Sequence, residues 1–128
     1  MIDIAVMGYG TVGSGVVEIF SENGAIINQR AGQEINVKYV LDIREFPGDP
    51  VEKILVHDFK QIVEDPSVRI VVEVMGGLEP AYTFVKACLE AGKTVVTSNK
   101  PLVAKHGAEL LSIGREKEIN FLFQASVR

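Results

Sequence analysis

Four short stretches of this 128-residue chain place residue types at spacings that could do chemistry. The first is Gly8-Tyr9-Gly10-Thr11-Val12-Gly13, a Gly-x-Gly-x-x-Gly pattern. It follows the apolar run Ile2 to Met7 and opens into the helical apolar series Val12, Val16, Val17, Ile19, Phe20. In such a turn Gly8 allows the sharp reversal, Gly10 lets the backbone approach a pyrophosphate, and Gly13 lets helix and strand pack closely. The first helical turn then offers unpaired N–H groups and a positive dipole end to the phosphates. By itself the pattern is weak; between a first strand and a first helix it points to a dinucleotide.

The second stretch is Asp42 with Arg44, at the end of the apolar run Ile35 to Leu41. A carboxylate at the end of a second strand accepts hydrogen bonds from an adenosine ribose. Asp42 lies further from the glycine loop than the usual ~20 residues, because residues 24–34 lengthen the crossover. An aspartate is also an ordinary turn residue in that place. Arg44 favours the opposite ligand, since a guanidinium can clamp a 2′-phosphate bidentately. NAD and NADP are both open on these residues.

The third and fourth stretches end later strands. Glu73-Val74-Met75-Gly76-Gly77 closes an apolar run with paired glycines, which would let the backbone lie against a ring or ribose. A plain strand-to-helix turn is the simpler alternative. In Thr97-Ser98-Asn99-Lys100-Pro101, Pro101 suits the first turn of a helix. Lys100 then stands at an electropositive helix end, where lysine is disfavoured. A cation kept there could bind an anion or move a proton; a surface lysine is the alternative. His57 and His106 have no metal-ligand spacing around them and read as surface or structural side chains. No metal site is expected. Cys88, in a helical apolar pattern, reads as a buried packing residue.

The elements that must position these residues alternate along the chain. Strands are expected at 2–7, 35–41, 54–56, 69–75, 93–97 and 119–123. Helices are expected from Thr11 to about Asn23-Gly24, over about 58–64, from Glu79 to Ala91 with Gly92 as its stop, and from Pro101 to Lys117. Ala25 to Gly32 is a further helical or irregular piece, and Arg44 to Pro50 is a loop. Alternation of this kind builds an α/β domain, a doubly wound parallel sheet of about six strands of the Rossmann type. One domain over 1–128 suits the length.

Composition narrows the partners. Hydrophobic residues make up 47% and charged residues 23%, and the net charge is −4. With no basic stripe to neutralise phosphates, a nucleic-acid partner is not expected. No apolar run approaches the roughly 20 residues that span a bilayer, and the start of the chain lacks a signal-peptide pattern. The single cysteine allows no internal disulfide and suits a reducing, cytoplasmic setting.

Taken together, Gly8 to Gly15, Val71 to Gly77, Val95 to Lys100 and Phe121-Leu122-Phe123-Gln124-Ala125-Ser126-Val127 resemble homoserine dehydrogenase. The resemblance covers nearly the whole chain and corresponds to that family's N-terminal NAD(P)-binding domain. It implies an EC 1.1.1 oxidoreductase that interconverts L-homoserine and L-aspartate-4-semialdehyde with NAD(P), in threonine and methionine biosynthesis. Lys100 matches a lysine at that family's active site and becomes the catalytic candidate. Gly8, Tyr9, Gly10, Thr11, Val12, Gly13, Asp42, Arg44, Gly76, Gly77, Thr97, Ser98, Asn99 and Lys100 become the cofactor-binding set. The last motif departs from the family, with Gln124 in place of glutamate and Arg128 in place of the first glycine.

The resemblance also implies that the family's substrate and dimerisation domain is absent from this chain. Its second catalytic lysine, its aspartate and its monovalent-cation site lie there. The chain alone is therefore expected to bind cofactor without turning over homoserine. The apolar surface left open where that domain would dock favours self-association. Two other readings stay open. One is a stand-alone NAD(P)-sensing regulatory module. The other is a glucose-fructose oxidoreductase-like dehydrogenase, resembled by Asn99-Lys100-Pro101-Leu102, although that family favours glutamate where Asn99 stands.

Overall fold

A computed structural model describes residues 2–22 and 35–123. Its strands are β1 (Ile2–Met7), β2 (Ile35–Leu41), β3 (Leu55–Val56), β4 (Val68–Glu73), β5 (Thr94–Thr97) and β6 (Phe121–Phe123). Its helices are α1 (Thr11–Glu22), α2 (Lys60–Val63), α3 (Ala81–Glu90) and α4 (Lys100–Glu116), with a 3-10 turn at Pro50–Lys53. The six strands form one sheet in the order β3-β2-β1-β4-β5-β6, every neighbouring pair parallel. Numbered along the chain this is 3-2-1-4-5-6, the doubly wound order whose direction reverses between β1 and β4.

Side-chain alternation along the strands explains why both faces are covered. Ala5, Met7, Leu41, Val71 and Val95 pack on one face, against Ala81, Val85, Cys88 and Leu89 of α3 and Leu102 and Leu110 of α4. Val6 and Val40 point to the other face, where Val16 and Val17 of α1 and the loop residues Phe46 and Ile54 cover them. Cys88 is fully buried, and desolvation pushes its thiol up to about 12, which fits a packing residue.

The expected elements appear with boundaries shifted by local hydrogen bonding. The fourth strand ends at Glu73 rather than Met75, because the Glu73 carboxylate takes the N–H groups of Met75 (2.9 Å) and Gly76 (3.3 Å) and turns the chain. The third helix starts at Ala81, after a cis Glu79–Pro80 bond, and the fourth starts at Lys100 itself. The 3-10 turn after the 44–50 loop was not expected; Asp49 caps it by accepting from the Val51 N–H at 2.9 Å. The piece Ala25 to Gly32 and the residues Gln124 to Arg128 lie outside the described residues.

At the opposite end of the sheet from the strand termini, Asp65 ties β2 to β4. Its carboxylate accepts from Lys38 Nζ (2.6 Å), the Tyr39 hydroxyl (2.7 Å) and the Ser67 N–H (2.9 Å). Lys38 first, then Tyr39, hold the Asp65 pKa well below the usual carboxylate range. A group depressed on folding stabilises above its unfolded pKa, about 4 for aspartate, and loses that contribution as pH falls towards the folded value. Wild type is therefore expected to melt higher than Asp65→Asn at pH 7, with the gap closing below about pH 4. Melting curves across that range check it; a gap independent of pH would refute it.

Candidate functional site

The site is built at the carboxyl ends of β1, β2, β4 and β5, where an open parallel sheet leaves a crevice at its switch point. β1 delivers Gly8, whose N–H donates to the Leu41 carbonyl of β2 at 2.8 Å, while the Val74 N–H donates to the Met7 carbonyl at 3.0 Å. Gly8 has φ +105°, and a Cβ there would stand 3.2 Å from the backbone of Met75. Gly13 carries the tighter constraint: a Cβ would lie 2.0 Å from the Gly8 carbonyl oxygen. Gly10 differs from both, because a Cβ there meets nothing within 4 Å. Its small size is not required by the protein's own packing.

The helix begins at the loop itself, with the Ser14 N–H donating to the Gly10 carbonyl at 2.9 Å. The N–H groups of its first turn have no intrahelical partner and add the positive end of the helix dipole. Thr11 and Val12 are exposed on that turn.

A cavity of about 360 Å³ opens beside the loop, lined by Gly8, Tyr9, Gly10, Asp42, Arg44 and His57 among others. Asp42 and Arg44 stand together in it. Arg44 grips the Asp42 carboxylate with Nε (3.0 Å) and Nη2 (2.9 Å), and its own N–H bonds the same group at 2.9 Å. The Tyr9 N–H adds a further bond at 2.9 Å, joining the glycine loop to the end of β2. The Arg44 side chain, then the backbone N–H groups of Arg44 and Tyr9, hold the Asp42 pKa well below the usual carboxylate range, against the cost of partial burial. The two residues that favour opposite cofactors thus satisfy each other. Tyr9 extends this wall: its hydroxyl donates to Asp49 (3.1 Å) and its ring meets Phe46 edge-on at 4.8 Å.

His57 read as a surface or structural histidine; it is exposed and also lines this cavity. Nδ1 faces the Asp42 carbonyl and Nε2 faces Glu45, each at 2.6 Å. The Asp42 carbonyl first, then Glu45, raise the His57 pKa. His106 is elsewhere, stacked on Tyr82 with ring centres 3.8 Å apart. Among the described residues no group of three or more His, Cys, Asp or Glu side chains could hold a metal ion.

The other half of the site joins the ends of β4 and β5. Gly76 and Gly77 both have positive φ, +80° and +73°, so the loop needs glycine for its backbone path. Asn99 caps α4: its side chain accepts from the Leu102 N–H at 3.1 Å and donates to the Gly77 carbonyl at 2.6 Å. Thr97 accepts from the Asn99 N–H at 3.0 Å, and the Ser98 N–H reaches the Glu73 carbonyl at 3.4 Å. Lys100 opens α4; its side chain is exposed and takes part in no hydrogen bond or ion pair among the described residues. Glu73 was not singled out by sequence. Its signal there is a charge directly after the apolar run Ile70 to Val72.

Residues 8–124 match the family described as homoserine dehydrogenase, NAD binding domain. The chain belongs to that homoserine dehydrogenase family. It is 39% identical to the homoserine dehydrogenase of Helicobacter pylori, over 98% of this chain and 30% of that protein. Superposition on the crystal structure of S. aureus homoserine dehydrogenase gives a TM-score of 0.89 at 37% identity, covering 98% of this chain and 32% of that one. A hyperthermophilic archaeal homoserine dehydrogenase mutant, solved in complex with NADPH, is similar with a TM-score of 0.76 and 27% identity, over 95% of this chain and 43% of its own. The chain thus spans about a third of the length of the relatives it matches. What is common to the family and to these 128 residues is the NAD-binding Rossmann domain, and NAD(P) is its cofactor. No helix of the described residues is long and apolar enough to cross a membrane.

Proposed function

We propose that this chain is the dinucleotide-binding part of an NAD(P)-dependent homoserine dehydrogenase, and that by itself it binds cofactor without turning over homoserine. The observation that carries the reading is the open position at Gly10, beside the first turn of α1 and the cavity at the switch point. The NADPH complex of the archaeal relative supports the ligand. In this reading Gly8 to Gly13 hold the pyrophosphate, Asp42 and Arg44 meet the adenosine ribose, and Gly76, Gly77, Thr97, Ser98 and Asn99 face the nicotinamide half. When bound, the nicotinamide gives or takes the hydride. Lys100 is the catalytic cation; its ammonium group hydrogen-bonds the substrate oxygen as hydroxyl and carbonyl interconvert. Homoserine is held by parts of the family's length beyond these residues, and the setting is cytoplasmic amino-acid biosynthesis. Self-association uses the apolar side chains left open at β6, Leu122 and Phe123, which are 50% and 41% exposed.

Calorimetric titration of the 128-residue chain with NADH and with NADPH tests the binding. Saturable binding of either is expected, and no heat from both would sink the reading. The Asp42–Arg44 pair adds a sharper expectation. Each residue masks the other, so Asp42→Asn frees the guanidinium for a 2′-phosphate and Arg44→Ala frees the carboxylate for ribose hydroxyls. The ratio of NADH to NADPH dissociation constants is expected to move in opposite directions in the two variants, each by about tenfold. A ratio unmoved in both would remove the pair from the cofactor site.

A further inference from the structure

Glu73 is fully buried, and no cation forms an ion pair with it among the described residues. Burying a charge without a counter-charge is expensive unless hydrogen bonds replace its hydration. Here four donors do so. The Thr97 hydroxyl donates to Oε1 at 2.5 Å. Oε2 accepts from the Met75 N–H at 2.9 Å, the Gly76 N–H at 3.3 Å and the Asn99 side-chain amide at 3.4 Å. The Thr97 oxygen also accepts from the Asn99 N–H at 3.0 Å. All four contacts bring a donor to the Glu73 side-chain oxygens.

These four bonds run to three separate pieces of backbone. One is the turn carrying the left-handed Gly76 and Gly77, another is the end of β5, and the third is the cap of α4. Asn99 closes the circuit, because the amide that reaches Glu73 also holds the Gly77 carbonyl while its oxygen caps the helix that starts at Lys100. An apolar side chain of the same size would pack here but would leave buried donors without this acceptor, which is unfavourable. The sheet does not need a carboxylate at this point for its ladder; β4 and β5 pair through their backbones.

We propose that Glu73 is a positioning residue for the nicotinamide half of the site, setting the Gly76–Gly77 turn and the α4 N-terminus against each other and so fixing where Lys100 stands. The inference rests on the proposed cofactor reading and adds to it a residue that touches neither cofactor nor substrate. It implies a division of labour: the adenosine half, built on β1, β2 and the glycine loop, does not depend on Glu73.

That division can be read by titrating the chain with ADP-ribose and with NADPH, each for wild type, Glu73→Gln and Thr97→Val. Glutamine keeps the shape but presents an amide donor to groups that are themselves donors. Thr97→Val removes one donor with little change of volume, and so serves where Glu73→Gln does not fold. NADPH affinity is expected to fall at least about tenfold in either variant while ADP-ribose affinity stays within about twofold. Quenching of the bound-NADPH fluorescence enhancement should accompany the loss, because the ring is no longer held. Thr97→Ser, which keeps the hydroxyl, should restore most of it. Equal losses for both ligands, or no loss in a folded variant, would overturn the proposal. Failure of wild type to bind either ligand would instead overturn the cofactor reading on which it rests.

Discussion

Replacing Gly10 by valine is expected to lower dinucleotide affinity by about 100-fold or more while leaving the fold in place. The second glycine of the loop is where backbone and pyrophosphate come closest, and an isopropyl group there occupies the ligand's space. The protein itself has no objection, since a Cβ at Gly10 meets nothing within 4 Å. Valine is a poor residue at the start of a helix, a penalty of about 1 kcal/mol that lowers the melting temperature by about 5 °C. Gly13→Ala is the opposite case. Its methyl would stand 2.0 Å from the Gly8 carbonyl oxygen, so strand and helix must separate, at a cost of about 3 kcal/mol or more. Calorimetric titration and a melting curve on both variants separate ligand space from packing space. Undiminished affinity in a folded Gly10→Val chain would mean the phosphates lie elsewhere.

The second large effect belongs to Lys100. In a full-length homoserine dehydrogenase carrying this domain, Lys100→Ala is expected to lower turnover by about a thousandfold, within the range for losing a positioned proton-transfer or charge-stabilising group. The dissociation constant for the dinucleotide should change by no more than about threefold. The split follows from placement: the ammonium group is exposed and unengaged among the described residues, so its removal unsettles no contact of the fold. Its helix stays capped, because the cap bond to Leu102 comes from Asn99. Equal turnover in the variant would make Lys100 a surface lysine. Loss of binding and turnover together would make it a cofactor contact instead.

Much of this architecture is legible in the sequence because its signals are local. Apolar runs bounded by glycine, proline and turn residues place β1 and β2 at the expected residues, and the remaining strands and helices to within a few positions. Gly-x-Gly-x-x-Gly between strand and helix is a local arrangement too: the turn at Gly8 and the close helix packing at Gly13 appear as expected, while a Cβ at Gly10 meets nothing within 4 Å. Pro101 marks the start of α4 to within one residue, since it lacks the N–H that the first turn leaves unpaired.

What escaped the sequence depends on residues brought together from afar. The Glu73 carboxylate meets Thr97 and Asn99, more than twenty positions away, and only parallel pairing of β4 with β5 makes that contact. His57 carries no motif of its own; it reaches the cavity because β3 lies beside β2, so that its ring meets Asp42 and Glu45. Asp42 and Arg44 were visible as competing indications, but a sequence cannot say that their side chains would grip each other. The sequence by itself determined the order of elements and the chemistry available at each strand end, because periodicity, turn residues and glycine spacing act within a few residues. The tertiary structure alone decided which of those groups share hydrogen bonds, because burial and pairing are settled only when distant strands lie side by side.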